Sequence, residues 1–129
     1  MAEEEHSEKD DFASLNGMSI TAAKSGWATA EMTICERHLN EAGIPHGGVY
    51  FALADTVFGA ATDYVNEKLV TIHGSIDFFA SAKLGDTLIA TSREVSSSKR
   101  LTDHDVDIRD SDGRLLAMVH LKGYRTQKD

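Results

Sequence analysis

Polar and apolar residues alternate through 101–109, where Thr102, His104, Val106 and Ile108 interleave with Asp103, Asp105 and Asp107. A period of two places the sets on opposite faces, so this stretch is expected to be a half-exposed antiparallel strand with its aspartates along a solvated outer face. The same spacing argues against reading the three aspartates as a metal site. Strand patterns also cover 18–24, 27–35, 69–79, 87–96 and 114–124, separated by turn residues at Ser25-Gly26, Gly85-Asp86 and Ser111-Asp112-Gly113. A short helical turn is expected at 11–15.

The pattern changes in 46–62, HGGVYFALADTVFGAAT. Pro45 is a good residue to start a helix, and Gly47 and Gly48 leave N–H groups open to an approaching ligand, an oxyanion site in the making. Val49, Ala52, Leu53, Ala60 and Ala61 are apolar on nearly every side, so this helix is expected to be enclosed by other structure. One helix among about six strands suggests an α+β fold in which a sheet curls around the helix. Asp55 is the one charged residue in the run. It is expected to be at least partly buried, where an unpartnered carboxylate is penalised and is usually kept for chemistry or binding.

Composition narrows the function. The 129 residues are 41% hydrophobic, with one proline and ten glycines, enough chain for one core and with no low-complexity linker. Residues 1–10 read as a solvated acidic tail and 11–129 as a single domain. The tail lacks signal-peptide and membrane-spanning character. A net charge of −8 argues against nucleic acid as a partner. Cys35 is the only cysteine, which excludes an internal disulfide and fits a cytoplasmic setting with a buried, inert thiol.

The segment HLNEAGIPHGGVYFALADT, followed by SIDFFASAKLGD, resembles the PaaI-type (phenylacetic acid degradation) branch of the hotdog-fold acyl-CoA thioesterases. The resemblance runs from about residue 17 to residue 126. It is sharpest in the ordered set Asn40, His46-Gly47-Gly48, Asp55 and Gly85-Asp86. It implies a curved antiparallel sheet of five to six strands wrapped around one long helix, hydrolysis of an acyl-CoA thioester to free acid and CoA, and no cofactor or metal. Asp55 would be the base or nucleophile, Gly47 the oxyanion donor, and Asn40 and His46 the groups that orient water or substrate. Thr71 falls where related enzymes carry a hydroxyl near the carboxylate. Gly48, His73 and Phe79 would touch the substrate, and Phe51 and Phe58 are further candidates for lining an acyl pocket. Ser97, Ser98, Lys99 and Arg100 form the local basic turn expected to meet the phosphates of CoA. Where the family often has Arg-Pro-Ala after SIDF, this chain has Ala80, Ser81 and Ala82.

Gly47 and Asp55 are eight residues apart, about 12 Å along a helix axis at ~1.5 Å per residue. One thioester carbon cannot meet both within one chain. The resemblance thus calls for a homodimer with two shared sites and antiparallel helices, and points further to a homotetramer whose sheet-face arrangement is left open. Two alternatives are a hotdog-fold enoyl-CoA hydratase or dehydratase and an acyl-CoA-binding protein without turnover.

Overall fold

The computed structural model describes residues 10–126. In chain order these form α1 (Asp11–Leu15), β1 (Ser19–Lys24), β2 (Trp27–Thr33), a 3₁₀ turn (Glu36–His38), α2 (Gly47–Thr62), α3 (Tyr64–Glu67), β3 (Leu69–Phe78), β4 (Thr87–Ser97), β5 (Leu101–Asp110) and β6 (Leu115–Arg125). The six strands make one sheet in the order β1-β2-β4-β5-β6-β3, every neighbouring pair antiparallel. This is the sheet-and-helix arrangement expected from the alternating patterns.

The long helix lies on the inner face of the sheet, chiefly against β2 and β4. Leu53, Ala54, Val57 and Phe58 face Leu88, Val106, Ile108 and Leu121, all fully buried or nearly so. Burying a leucine or phenylalanine contributes roughly 1.5–3 kcal/mol, and this set is the core. Strand positions beneath the helix are small: Ala28, Ala30, Ala90 and Ala117 are completely buried and let the helix approach closely. The helix ends at Asp63, whose left-handed backbone (φ 52°) caps it by donating its N–H to the Gly59 carbonyl. At the β1–β2 turn Gly26 takes φ 83° and donates its N–H to the Ala61 carbonyl at 3.0 Å, tying the hairpin to the helix.

The outer face departs from the solvated stripe expected of the aspartates. Asp107 is only 9% exposed because Arg93 and Arg109 flank it with ion pairs of 2.9 and 3.0 Å. His120 lies between Asp105 (2.9 Å) and Asp103 (3.0 Å), and Lys122 joins Asp103 at 3.4 Å. Arg109, two residues along β5 itself, and cross-strand neighbours on β4 (Arg93) and β6 (His120, Lys122) supply the cations, so the alternation placed the face correctly and the cross-strand part of its ionic pairing emerges only from the sheet register. Among the described residues no group of three or more His, Cys, Asp or Glu is placed to hold a metal ion, and no helix is long and apolar enough to cross a membrane. Cys35 is half-exposed instead of buried. Its neighbour His38 is buried and accepts the Cys35 N–H at Nδ1, 2.9 Å away.

Candidate active site

Asp55 stands on the side of α2 turned away from the core, in line with Gly48, Ala52 and Gly59. Its own chain leaves it exposed. The expected burial is therefore not met: Leu53, Ala54, Val57 and Phe58 are enclosed by the sheet, whereas Gly48 and Asp55 are exposed and Ala52 is only half-buried. Thr71 on β3 reaches across, its Oγ1 donating to Asp55 Oδ1 at 2.9 Å. One carboxylate oxygen is thus held by a neutral donor, the one side-chain hydrogen bond found to Asp55 among the described residues.

A bulge explains how Thr71 gets there. Thr71 pairs with Gly123 while His73 pairs with Lys122, so β3 carries one extra residue, Ile72, between them. An inserted residue reverses the alternation beyond it. Thr71 therefore faces the helix, and His73, opposite Lys122, lies on the outer face. The strict period of two that would place Thr71 and His73 on one side does not survive the bulge. Gly74, next inward, has no side chain because the Phe51 ring occupies the place of its Cβ, 2.7 Å from the ideal position.

The helix N-terminus is built by the preceding loop. Asn40 Oδ1 accepts the N–H of Ala42 (2.9 Å) and of Ile44 (3.3 Å), closing the turn that delivers buried Pro45. The His46 N–H then bonds the His38 carbonyl at 3.0 Å. His46 is the N-cap residue but makes no side-chain capping bond, and it is exposed. Gly47 and Gly48 occupy the first two helical positions, whose N–H groups have no intrahelical acceptor. The Phe78 ring, held edge-on by Tyr50 at 5.7 Å, covers Gly47 so closely that a Cβ there would sit 3.0 Å from it; a Cβ on Gly48 would meet nothing within 4 Å.

A groove of about 820 Å³ runs over this side of the helix, lined by Asp55, Thr71, Gly48, Phe51, Phe58, Leu69 and Val70, with Phe12 from α1 and Asp10, its N-cap residue. Phe51 and Phe58 were expected there; Phe79 is exposed and is not among the lining residues. The contributions of Leu69, Val70 and α1 carry no sequence signal of their own, whereas the i, i+4, i+7 stripe Gly48, Ala52, Asp55 does.

The basic turn is divided in its duties. Arg125, 8% exposed, binds Glu67 (2.6 Å), the Ser98 carbonyl (2.7 Å) and Ser97 Oγ (3.1 Å), and Arg100 donates to the Arg125 carbonyl at 3.0 Å. Ser97, Ser98 and Arg100 thus shape the turn, while Lys99 projects exposed. The turn adjoins the Leu69–Arg125 end of the sheet, the end that also carries Thr71.

A carboxylate on the long helix, a hydroxyl from the neighbouring strand bonded to it and an open helix N-terminus, all on a sheet curled around one helix, make up a hotdog-type domain. Residues 42–117 match the family model of the thioesterase superfamily. The chain is similar to acyl-coenzyme A thioesterase PaaI of Escherichia coli, 31% identical over 118 residues that cover 92% of this chain and 84% of that protein. The crystal structure of E. coli PaaI superposes with a TM-score of 0.88, covering 97% of this chain and 91% of that one at 29% identity. A Streptococcus mutans protein solved bound to acetyl CoA superposes with a TM-score of 0.82, at 26% identity over 87% of this chain and 90% of that one. The chain belongs to the thioesterase superfamily, in its PaaI-type hotdog branch, and is a thioester hydrolase.

Proposed function

We propose that the protein hydrolyses acyl-CoA thioesters to free acid and CoA, using Asp55 of one subunit and the helix N-terminus of a second. The observation that carries this reading is the Thr71–Asp55 hydrogen bond of 2.9 Å inside the groove on the open side of α2. A carboxylate held by a neutral hydroxyl keeps a free oxygen in contact with bound substrate. It then either takes a proton from a water that attacks the thioester carbon, or attacks that carbon itself to give an anhydride that water later opens. In both routes the C–S bond breaks and CoA leaves as a thiolate that takes up a proton. The Gly47 N–H and the positive end of the helix stabilise the oxyanion.

Several features support the shared site. Gly48, Ala52 and Gly59 leave one side of α2 nearly flat, matching close approach by a second helix. β3 is the terminal strand of the sheet, and its Val70, Ile72 and Phe78 are 49%, 52% and 53% exposed, an unpaired apolar edge of the kind that natural sheets cover. Pairing across it would bury Asp55 as well. Association into tetramers, Lys99 as a phosphate contact, orientation of water or substrate by Asn40 and His46, and a cytoplasmic setting belong to the same reading. It is tested by following CoA thiol release from phenylacetyl-, benzoyl-, short- and medium-chain acyl-CoAs with wild type and Asp55→Asn. Turnover that falls on the order of 10²–10⁴-fold in the variant is expected; equal turnover by both would contradict the role of Asp55.

A further inference from the structure

The first turn of α2 is weak by its own chemistry. It opens with Gly47 and Gly48, the residue type that loses most backbone freedom on ordering, and its N-cap, His46, makes no side-chain capping bond. A helix start of this kind frays unless something outside it holds it. The His46 N–H bonds the His38 carbonyl and the Val49 N–H bonds the His46 carbonyl, each at 3.0 Å. These bonds fix the backbone on either side of Gly47.

Gly47 itself is met by the Phe78 ring from the end of β3, whose tip lies 3.0 Å from where a Gly47 Cβ would stand. Phe78 is more than half exposed, so its ring depends on the neighbour it has. That neighbour is Tyr50, three residues after Gly47 on α2, whose ring meets it edge-on with planes at 78°. Tyr50 is buried, and its hydroxyl accepts the N–H of Ala82, also buried, at 2.9 Å. The rest of the 79–82 segment is tied to the sheet side. The Phe79 and Ala80 N–H groups bond the Leu116 carbonyl at 2.8 and 3.2 Å, and Arg114 Nη2 bonds the Ser81 carbonyl at 3.2 Å. Among the described residues the Tyr50 hydroxyl is thus the hydrogen-bonded link from this segment to α2. None of these contacts depends on space along the Gly48–Ala52–Asp55 side of the helix.

We infer that Tyr50 is a positioning residue for the oxyanion donor: hinged on Ala82, it holds the Phe78 ring against Gly47 and so fixes the direction of the Gly47 N–H. This rests on the thioesterase reading above. Tyr50 is enclosed and acts through Phe78. A donor aimed in advance stabilises an oxyanion more than one that must be ordered during reaction. The effect therefore falls on the transition state and leaves ground-state binding alone.

The test compares wild type, Tyr50→Phe and Phe78→Leu in binding two non-hydrolysable ligands, beside kcat and KM on the matching thioester. One ligand is an S-alkyl-CoA; the other is a trifluoromethyl-ketone analogue of the same chain, whose hydrated carbonyl mimics the tetrahedral oxyanion. Tyr50→Phe keeps the ring and removes the acceptor of the Ala82 N–H. Both variants are expected to lose kcat and affinity for the ketone analogue by the same factor, roughly tenfold, with KM and affinity for the S-alkyl-CoA unchanged. That is less than the about 10²–10³-fold cost of deleting an oxyanion donor, because the N–H remains. Phe78→Leu, at a half-exposed position, carries the comparison should Tyr50→Phe not fold. An equal loss of both affinities, or a lower melting temperature with the ketone preference intact, would overturn the inference and make Tyr50 a packing residue. If wild type itself does not prefer the ketone analogue, the thioesterase reading fails and the inference with it. A wild-type preference that a folded Tyr50→Phe keeps overturns the inference alone.

Discussion

Thr71 donates its hydroxyl to Asp55 across the space between β3 and α2, at 2.9 Å. The bond exists because one extra residue in β3 turns Thr71 toward the helix while His73 takes the outer face. Thr71→Val keeps the shape and removes the donor. A lost hydrogen bond to a charged group is worth roughly 1.5–3 kcal/mol, so kcat is expected to fall about 10–100-fold. Thr71→Ser should retain most activity. Steady-state kinetics of the two variants checks this, and a fully active Thr71→Val would show that the bond does not position the carboxylate.

The two helix-start glycines should answer differently to the same substitution. Gly48→Ala meets no atom within 4 Å and gains helix propensity, so stability should hold or rise by a few tenths of a kcal/mol. The new methyl enters the groove, so KM should rise. Gly47→Ala instead places a methyl 3.0 Å from the Phe78 ring and should lower the melting temperature unless that ring moves. Thermal melts beside kinetics separate the two effects.

Much of this fold could be read from residues in order. The alternation in 101–109 and the apolar run in 46–62 specified their elements because each reports a local period against one core. Asp55 stood out as a lone charge. What the sequence could not report was Ile72, since a bulge is set by pairing with β6 and leaves no mark in a short polar and apolar string; the side taken by His73 was lost with it. The exposure of Asp55 was hidden for a related reason. Which side of α2 the sheet covers is set by tertiary packing, and a helix that is apolar on nearly every side does not mark it.

Stability should depend on pH through His104. It is 1% exposed, bonded through Nδ1 to Ser92 Oγ at 2.8 Å and edge-on to Phe58. Burial, aided by Arg125, lowers its pKa to about 4. Between roughly pH 6.5 and 4 the unfolded chain binds a proton that the folded one does not, so folding loses up to about 3 kcal/mol as pH falls through that window. His120 acts with the opposite sign. Its hydrogen bonds, to Asp105 foremost and to Asp103, raise its pKa, and its contribution is present below pH 6.5 and lost as pH rises through the raised value. Denaturant titrations of wild type and His104→Gln across pH 4–8 check the assignment: the slope below pH 6.5 should flatten in the variant, and an unchanged slope would place that proton elsewhere.

The shared site is the central claim, and mixing two inactive variants tests it most directly. Asp55→Asn removes the carboxylate, and Gly47→Pro removes the first helical N–H; proline's backbone suits a helix start, but its Cβ, like that of alanine, needs the Phe78 ring to shift, so a thermal melt first checks that the variant folds. Each homodimer is expected to be inactive. After subunit exchange, confirmed by native mass spectrometry, each mixed dimer regains one intact site, and CoA release should recover to about a quarter of the wild-type rate for random pairing. Recovery to that level would show that Asp55 and Gly47 of one working site come from different chains. No recovery in a mixture proven to contain mixed dimers would contradict the shared site.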